Sequence, residues 1–186
     1  IAVLIVDQRQ VARLLPMGEC IDLMQRTLVA LASGEAILPL RSILWLDGKR
    51  GALGLMPGYL ARENALGVKS VSFFHGNEGT ELDTHQGAVL LYDGANGSLR
   101  AVVDATSITA IRTAAVSGAA TRALAGPEAG DLALVGSGVQ ARTHLAAMKA
   151  VRTLRRVRVA SKELERARRF AKRESERHGI SIEAVA

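Results

Sequence analysis

Leu132-Ala-Leu-Val-Gly-Ser-Gly-Val-Gln-Ala-Arg-Thr-His144 is the stretch that decides the fold. Four apolar residues, Leu132 to Val135, predict a buried strand. Gly136-x-Gly138-x-x-Ala141 follows, and a helix-like pattern runs from Val139 to Val151. Strand, glycine turn and helix in this order form the fingerprint of a dinucleotide-binding site. Each small residue has a physical task. Gly136 permits a tight turn. Gly138 has no Cβ, so a pyrophosphate can approach the backbone. Ala141 lets the helix lie close on the strand. The helix N-terminus then offers unpaired N–H groups and the positive end of its dipole to phosphate. A lone glycine fingerprint is a weak signal, but this one has the flanks that the chemistry requires.

Reading outward, the βαβ pattern continues after the fingerprint. Val157 to Ala160 predicts a strand, Lys162 to Arg177 a helix and Ile180 to Ala186 the start of a third strand. Ahead of it lies a helix, about Thr106 to Ala125, closed by Gly126-Pro127. This helix is rich in Ala, Gly and Ser (Ala114, Ala115, Ser117, Gly118, Ala119, Ala120), so a neighbouring backbone can come close. Further upstream the period changes to two. Strands are expected at Arg41 to Leu46, Ala52 to Met56, Leu66 to Phe74, Ala88 to Tyr92 and Leu99 to Val103. Asp47-Gly48 and Asp93-Gly94-Ala95-Asn96-Gly97 supply turns, and Gly76 to Gln86 reads as an exposed loop. Near the start, Ala2 to Val6 predicts a strand. Asp7 caps a short helix to Leu15, and a longer helix runs from about Glu19 to Ala32.

The fold class that follows is α/β. A Rossmann-type, doubly wound parallel sheet, only its first part present, is preceded by an α+β domain with a mainly antiparallel sheet. The expected division is residues 1–126 and 127–186, with the boundary near Gly126 to Gly130. A complete dinucleotide domain has two βαβαβ halves. The chain begins at Ile1 without methionine and stops at Ala186 inside an expected strand. It therefore reads as a piece of a longer protein, expected to be inactive and poorly folded alone.

Composition narrows the class. Of 186 residues 48% are hydrophobic and only 3% aromatic, so aliphatic side chains must fill the core. The lone Cys20 excludes an internal disulfide and a cysteine-cluster metal site, and points to a reducing, cytoplasmic setting. His75, His85, His144 and His178 show no metal-ligand spacing, so no metal is expected. No apolar run approaches the ~20 residues of a membrane span, and Ile1 to Val6 lacks the basic lead of a signal peptide. The net charge of +6 is uneven. Residues 149–178 carry a balance of +8 and the remainder −2. Apart from Phe170, no aromatic residues interleave with these charges to stack on bases. Leu164, Ala167, Phe170 and Ala171 recur at helical spacing. The segment is therefore read as the solvated face of a helix, not as a nucleic-acid patch.

Lys69 is the side chain of most chemical interest. Gly67, Lys69, Val71 and Phe73 share one face of a strand. If that face is interior, desolvation lowers the lysine pKa and makes it a usable acid or base near neutrality. Alternatively its ammonium reaches the edge. Arg41 has the parity of Ile43 and Trp45, and Arg112 lies mid-helix beside small residues. Two such arginines could clamp a carboxylate or phosphate, since the guanidinium fork binds these bidentately. On bare sequence, structural pairing with Asp or Glu is the commoner outcome. Thr84, His85 and Gln86 are polar loop groups, and His85 is either a ligand contact or merely solvated. His144, on the nucleotide helix, reads as a packing residue.

The end of the second strand bears on cofactor choice. An acid about twenty residues past the fingerprint would grip the ribose 2′-hydroxyl of NAD. Ala160-Ser161-Lys162 occupies that region, with no carboxylate until Glu163. Ser161 and Lys162 could accept a 2′-phosphate, so NADP(H) is favoured and NAD(H) remains open.

Several segments together resemble the ornithine cyclodeaminase and mu-crystallin family. They are Leu38-Pro-Leu-Arg41, Met56-Pro57 with Tyr59-Leu60, Gly67-Val-Lys69, Thr84-His-Gln-Gly87 and Val89-Leu-Leu91. Ile108-Thr-Ala-Ile-Arg112-Thr-Ala-Ala115 and Val135-Gly-Ser-Gly-Val-Gln-Ala141 complete the set. The resemblance runs the length of the chain. It implies a Rossmann domain with a substrate and dimerisation domain, homodimers, and hydride transfer between nicotinamide and the Cα of a small amino or imino acid. Ornithine cyclodeaminase and cyclic imino acid (ketimine, pyrroline-2-carboxylate) reductase activities rank nearly equal. Alanine dehydrogenase follows, and a non-catalytic protein that binds NADPH and a ligand is the rival. Carried over by position, Arg41 and Arg112 would hold the substrate carboxylate, with Arg112 also near the cofactor. Lys69 would stand by the reacting nitrogen as proton donor or water activator. Thr84 and His85 would touch the nicotinamide end. Gly136, Gly138, Val139 and Gln140, with the small Ala141, would hold the pyrophosphate, and Ser161 and Lys162 would face the adenosine ribose. The family also uses an aspartate from the second half of its Rossmann domain, and this chain does not contain that half.

Overall fold

A computed structural model describes residues 2–186. These fall into two compact units. One holds the N-terminal residues through Pro16 together with Gln25–Thr109, and the other holds Met17–Met24 with Ala110–Ala186.

In the first unit, period-two alternation builds a mixed sheet. Its strands are β1 (Leu4–Val6), β2 (Ala36–Ile37), β3 (Ser42–Trp45), β4 (Ala52–Leu60), β5 (Ala65–Phe73), β6 (His85–Asp93) and β7 (Leu99–Asp104). The order is β1-β7-β6-β5-β4-β2, with β3 also paired to β4. Every pair is antiparallel except β1 with β7, where Leu4 to Val6 run parallel to Ala101 to Val103. The expected mainly antiparallel sheet is present. The parallel edge arises because α1 (Gln8–Leu14) carries the chain away before it can turn back on itself. Asp7 starts that helix as anticipated. It accepts from Gln10 N at 2.8 Å, and Gln10 Oε1 accepts from Asp7 N at 2.8 Å, a complete capping box.

Three details differ from the sequence reading. β4 does not stop at Met56 but runs through Pro57 to Leu60. β3 pairs with β4 up to Leu55, and β2 pairs with Tyr59 and Leu60. Pro57 thus falls where one flank of β4 has no partner, the position in which a missing N–H is tolerated. The two-residue β2 is too short to leave a periodic signal. Finally, His85 and Gln86 belong to β6 rather than to the loop, because His85 pairs with Phe73 across the ladder. The hairpin into β7 is as expected: Gly97 (φ 72°) donates to Asp93 O at 2.8 Å.

The second unit has the expected βαβαβ order. β8 (Asp131–Val135), α4 (Val139–Val151), β9 (Arg156–Ala160), α5 (Leu164–His178) and β10 (Ile182–Val185) give a parallel sheet ordered β10-β9-β8. Leu134, Leu145, Val157, Val159, Phe170 and Ile182 form its core with Ala167 and Ala171. Gly179, in the left-handed region at φ 64°, ends α5. α3 (Ala105–Leu124) and α2 (Met17–Ala32) each contribute to both units. Ala114 and Ala115 of α3 are fully buried. A Cβ on Gly118 would lie 2.9 Å from Ile21 Cδ1, so the small residues admit α2 at close range. Arg152 holds the C-terminal end of α3, donating to Thr121 O at 2.8 Å and Ala125 O at 2.7 Å.

Candidate functional site

In the first unit, strand register gathers the chemistry onto one face of the sheet. Lys69 pairs with Met56 on one side and Val89 on the other. Phe73 and His85 share that face by parity. Ser42 opposes Leu55, so Arg41, one residue earlier, stands at the end of that ladder beside the Met56 position. Lys69 is half-buried, and its Nζ lies 3.4 Å from Thr109 Oγ1 on α3. Of the two sequence alternatives, interior or edge, Lys69 therefore takes an intermediate place with a hydroxyl partner. Arg112 lies three residues further along α3, in the second unit. Among the described residues neither Arg41 nor Arg112 has a carboxylate within salt-bridge distance.

His85 is packed against Phe73, ring centroids 4.4 Å apart, and His75 meets the same ring edge-on at 4.2 Å. Thr84 Oγ1 lies 3.2 Å from His85 Nδ1, and Thr106 Oγ1 donates to His85 O at 3.2 Å. Burial holds His85 below the usual histidine pKa, and the positive potentials of His75 and Lys69 act in the same direction. Gly87 keeps the sheet closed here. A Cβ on it would stand 2.0 Å from Ser70 O, a backbone atom that cannot yield. Sequence reasoning named Phe73 and His75 but did not join them to His85, because the pairing of Phe73 with His85 is visible only once the register is known.

In the second unit, the glycine turn has the geometry that its fingerprint predicts. Gly136 sits at φ 113°, a conformation L side chains rarely adopt, and donates to Ala160 O at 2.8 Å. Gly138 is different. Its φ is −89° and a Cβ there would meet nothing within 4 Å. The fold itself does not require glycine at 138. α4 has no side-chain cap at this end, and its first internal bond is Arg142 N to Gly138 O at 3.2 Å. The N–H groups of Val139, Gln140 and Ala141 therefore lie before the helix's own ladder. Val135, at the tip of β8, is 94% exposed. A dinucleotide pyrophosphate fits such an opening: a bare Cα, unpaired donors and a positive helix end. Ser137 and Ser161 are joined hydroxyl to hydroxyl at 3.0 Å, linking the turn to the tip of β9. Lys162 is exposed just beyond.

A pocket of about 390 Å³ opens beside this turn, lined by Ser137, Gly138, Arg166, Arg169, Phe170 and Arg173. The arginines fall at i, i+3 and i+7 on one side of α5. All three are exposed, the solvated helix face that the sequence predicts, and the pocket lies along it. His144 bonds Ser117 Oγ at 3.0 Å and Gln140 O at 2.7 Å, which is packing rather than chemistry. Among the described residues no group of three or more His, Cys, Asp or Glu could hold a metal ion, and no helix is long and apolar enough to cross a membrane.

The chain is 42% identical to the ketimine reductase mu-crystallin of Mus musculus over 138 residues, 74% of this chain and 44% of that protein. Among solved structures it resembles the Delta(1)-pyrroline-2-carboxylate reductase of Thermococcus litoralis in complex with NADH and L-proline. That match has a TM-score of 0.93 and 35% identity, covering 98% of this chain and 57% of the other. An archaeal alanine dehydrogenase dimer with bound NAD gives a TM-score of 0.92 and 29% identity, covering 99% of this chain and 56% of the other. The chain thus spans about half the length of these relatives. The model of the ornithine cyclodeaminase/mu-crystallin family matches residues 2–186, and the chain belongs to that family.

Proposed function

We propose that the protein is an NAD(P)-dependent oxidoreductase acting on the C–N bond of a small amino or imino acid. Cyclic imino acid reduction and ornithine cyclodeaminase-like chemistry are the two leading activities. Gly138 carries this assignment: the backbone has no steric need of glycine there, whereas an approaching pyrophosphate does. The mouse and Thermococcus relatives, both named as reductases of such imino acids, favour the reductase.

The chain's residues divide the work. Arg41 and Arg112 hold the substrate carboxylate, since guanidinium forks bind carboxylates bidentately. Lys69 delivers or removes the proton at the substrate nitrogen, or activates the water that replaces it. Thr109 orients its ammonium. Fixing the carboxylate fixes Cα, and that orientation lowers the barrier. Thr84, His85 and Arg112 border the nicotinamide end, while Gly136, Gly138, Val139, Gln140 and Ala141 receive the pyrophosphate. The nicotinamide, when bound, supplies or accepts the hydride at Cα. Ser161 and Lys162, in place of an acid at the end of β9, favour NADP(H) over NAD(H).

The proposed assembly is a cytoplasmic homodimer. Leu44, Leu53, Leu55 and Leu66 are exposed on the sheet face opposite Lys69, an apolar surface suited to a second copy. Residues 1–126 are proposed as the substrate and dimerisation domain and 127–186 as the dinucleotide domain. A panel assay tests the function. Pyrroline-2-carboxylate, a cyclic ketimine, ornithine, proline and alanine are each offered with the reduced or oxidised dinucleotide while nicotinamide absorbance is followed. Turnover of an imino acid is expected. Tight NADPH binding with no turnover of any of them would establish the non-catalytic binding protein instead.

A further inference from the structure

The pocket beside the glycine turn is built on arginines that no role assigned so far employs. Their compensation is unequal. Arg173 Nε donates to the fully buried Glu174 at 2.7 Å, and its guanidinium lies 5.7 Å from the Phe170 ring centroid. Arg166 meets Glu163 through Nε at 3.3 Å, which leaves its terminal nitrogens available. Arg169 has no carboxylate within salt-bridge distance among the described residues. A cavity with an unneutralised guanidinium at its wall selects an anion, and a phosphomonoester, near −2 in charge, matches the fork best.

The position of the cavity says which phosphate. Its other wall is Ser137 and Gly138, at the mouth of the glycine turn. Ser137 is bonded to Ser161 at 3.0 Å, and the tip of the second strand is where the adenosine ribose of a dinucleotide lies. Glu163, the nearest carboxylate that could grip a ribose 2′-hydroxyl, is instead held by Arg166. We infer that Arg169 and Arg166, on the body of α5, seat the 2′-phosphate of NADP(H), extending the phosphate site beyond Ser161 and Lys162. This inference rests on the dinucleotide reading of the glycine turn.

The test compares binding of NADPH, NADH and the fragments 2′,5′-ADP and 5′-AMP to the protein and three variants, by dinucleotide fluorescence and calorimetry. Arg169→Ala and Arg166→Gln are expected to weaken NADPH and 2′,5′-ADP at least tenfold and to change NADH and 5′-AMP less than twofold. Arg168→Ala removes one charge from the same helix outside the pocket and is expected to change none of the four. Equal weakening of NADPH and NADH would assign the arginines to the shared pyrophosphate and overturn the inference. So would an Arg168→Ala effect as large as that of Arg169→Ala, which would mean general attraction only. Unchanged affinities in Arg169→Ala and Arg166→Gln would overturn it too, while wild-type dinucleotide binding would leave the glycine-turn reading standing. If the wild-type protein binds neither dinucleotide, both fall together.

Discussion

Lys69 and Thr109 meet side chain to side chain, ammonium nitrogen to hydroxyl oxygen, at 3.4 Å across the gap between a central strand and the first turns of α3. A hydroxyl so placed can only orient the lysine; it cannot replace it. Lys69→Met is therefore expected to lower kcat at least a thousandfold, with dinucleotide binding retained. Thr109→Val removes one hydrogen bond to a charged group, worth about 1.5–3 kcal/mol, and should lower kcat/KM by about ten- to a hundredfold. Steady-state assays alongside dinucleotide fluorescence check both. Full activity in Lys69→Met would remove the lysine from the mechanism.

Gly138→Ala separates ligand from fold. The new methyl group meets open space and an ordinary φ, so thermal unfolding should shift by less than about 2 °C. Dinucleotide affinity should nonetheless drop at least tenfold, because the methyl group occupies the path of the pyrophosphate. An alanine variant that binds as well as the parent would break the link between this residue and the cofactor.

Gly87→Ala should behave in the opposite way. Its Cβ would overlap Ser70 O at 2.0 Å, and the strands β5 and β6 would have to part. Overpacking destabilises by about 1–3 kcal/mol, and a clash with a backbone atom belongs at the upper end. Urea unfolding of the variant should show a clearly lower midpoint; an unchanged midpoint would mean that the ladder can shift there freely.

Stability should fall on mild acidification. Burial holds the His178 pKa below the ordinary 6.5, with Lys149 and Arg177 adding to the shift and the buried Glu174 opposing it. Above 6.5 the ring is neutral whether folded or unfolded, and its contribution is fully present. Below 6.5 the unfolded chain takes up the proton first, so stability falls as pH drops toward the lower folded value. His178→Gln should reduce the difference in urea midpoint between pH 7.5 and pH 5.5. An undiminished difference would place the sensitivity elsewhere, with His85, shifted in the same direction, the next residue to replace.

Much of this architecture was legible from local pattern. The helix Val139–Val151 follows its glycine turn at the expected residues because turn, helix start and apolar spacing all agree there. The sheet of the first unit was likewise readable from alternation, and α3 from its length and its Gly-Pro stop. What escaped depends on partners distant in sequence. Pro57 reads as a strand end until the gap between β2 and β3 explains it. His85 reads as a loop residue until Phe73 pairs with it. The α5 arginines form the solvated face that the pattern predicts, but nothing local reports the turn across the pocket. Parity alone puts Lys69 with Gly67, Val71 and Phe73 and Arg41 with Ile43 and Trp45, but only the register puts the two residues on one side of the sheet. The hydroxyl that Lys69 meets lies forty residues away and could not be found that way.

The alanine-lined side of α3 has a consequence for how this protein can vary. Ala114 and Ala115 have no side-chain torsions to immobilise, so burying them adds no rotamer entropy to the backbone's own loss. By the same token the alanines themselves have no adjustable atoms with which to absorb a change. Any enlargement at Gly118 must be answered at Ile21, 2.9 Å from the new atom, or at Ala147, 3.4 Å away. These three positions should drift through evolution only in concert, and homologues that carry a larger residue at one should carry a smaller one at another.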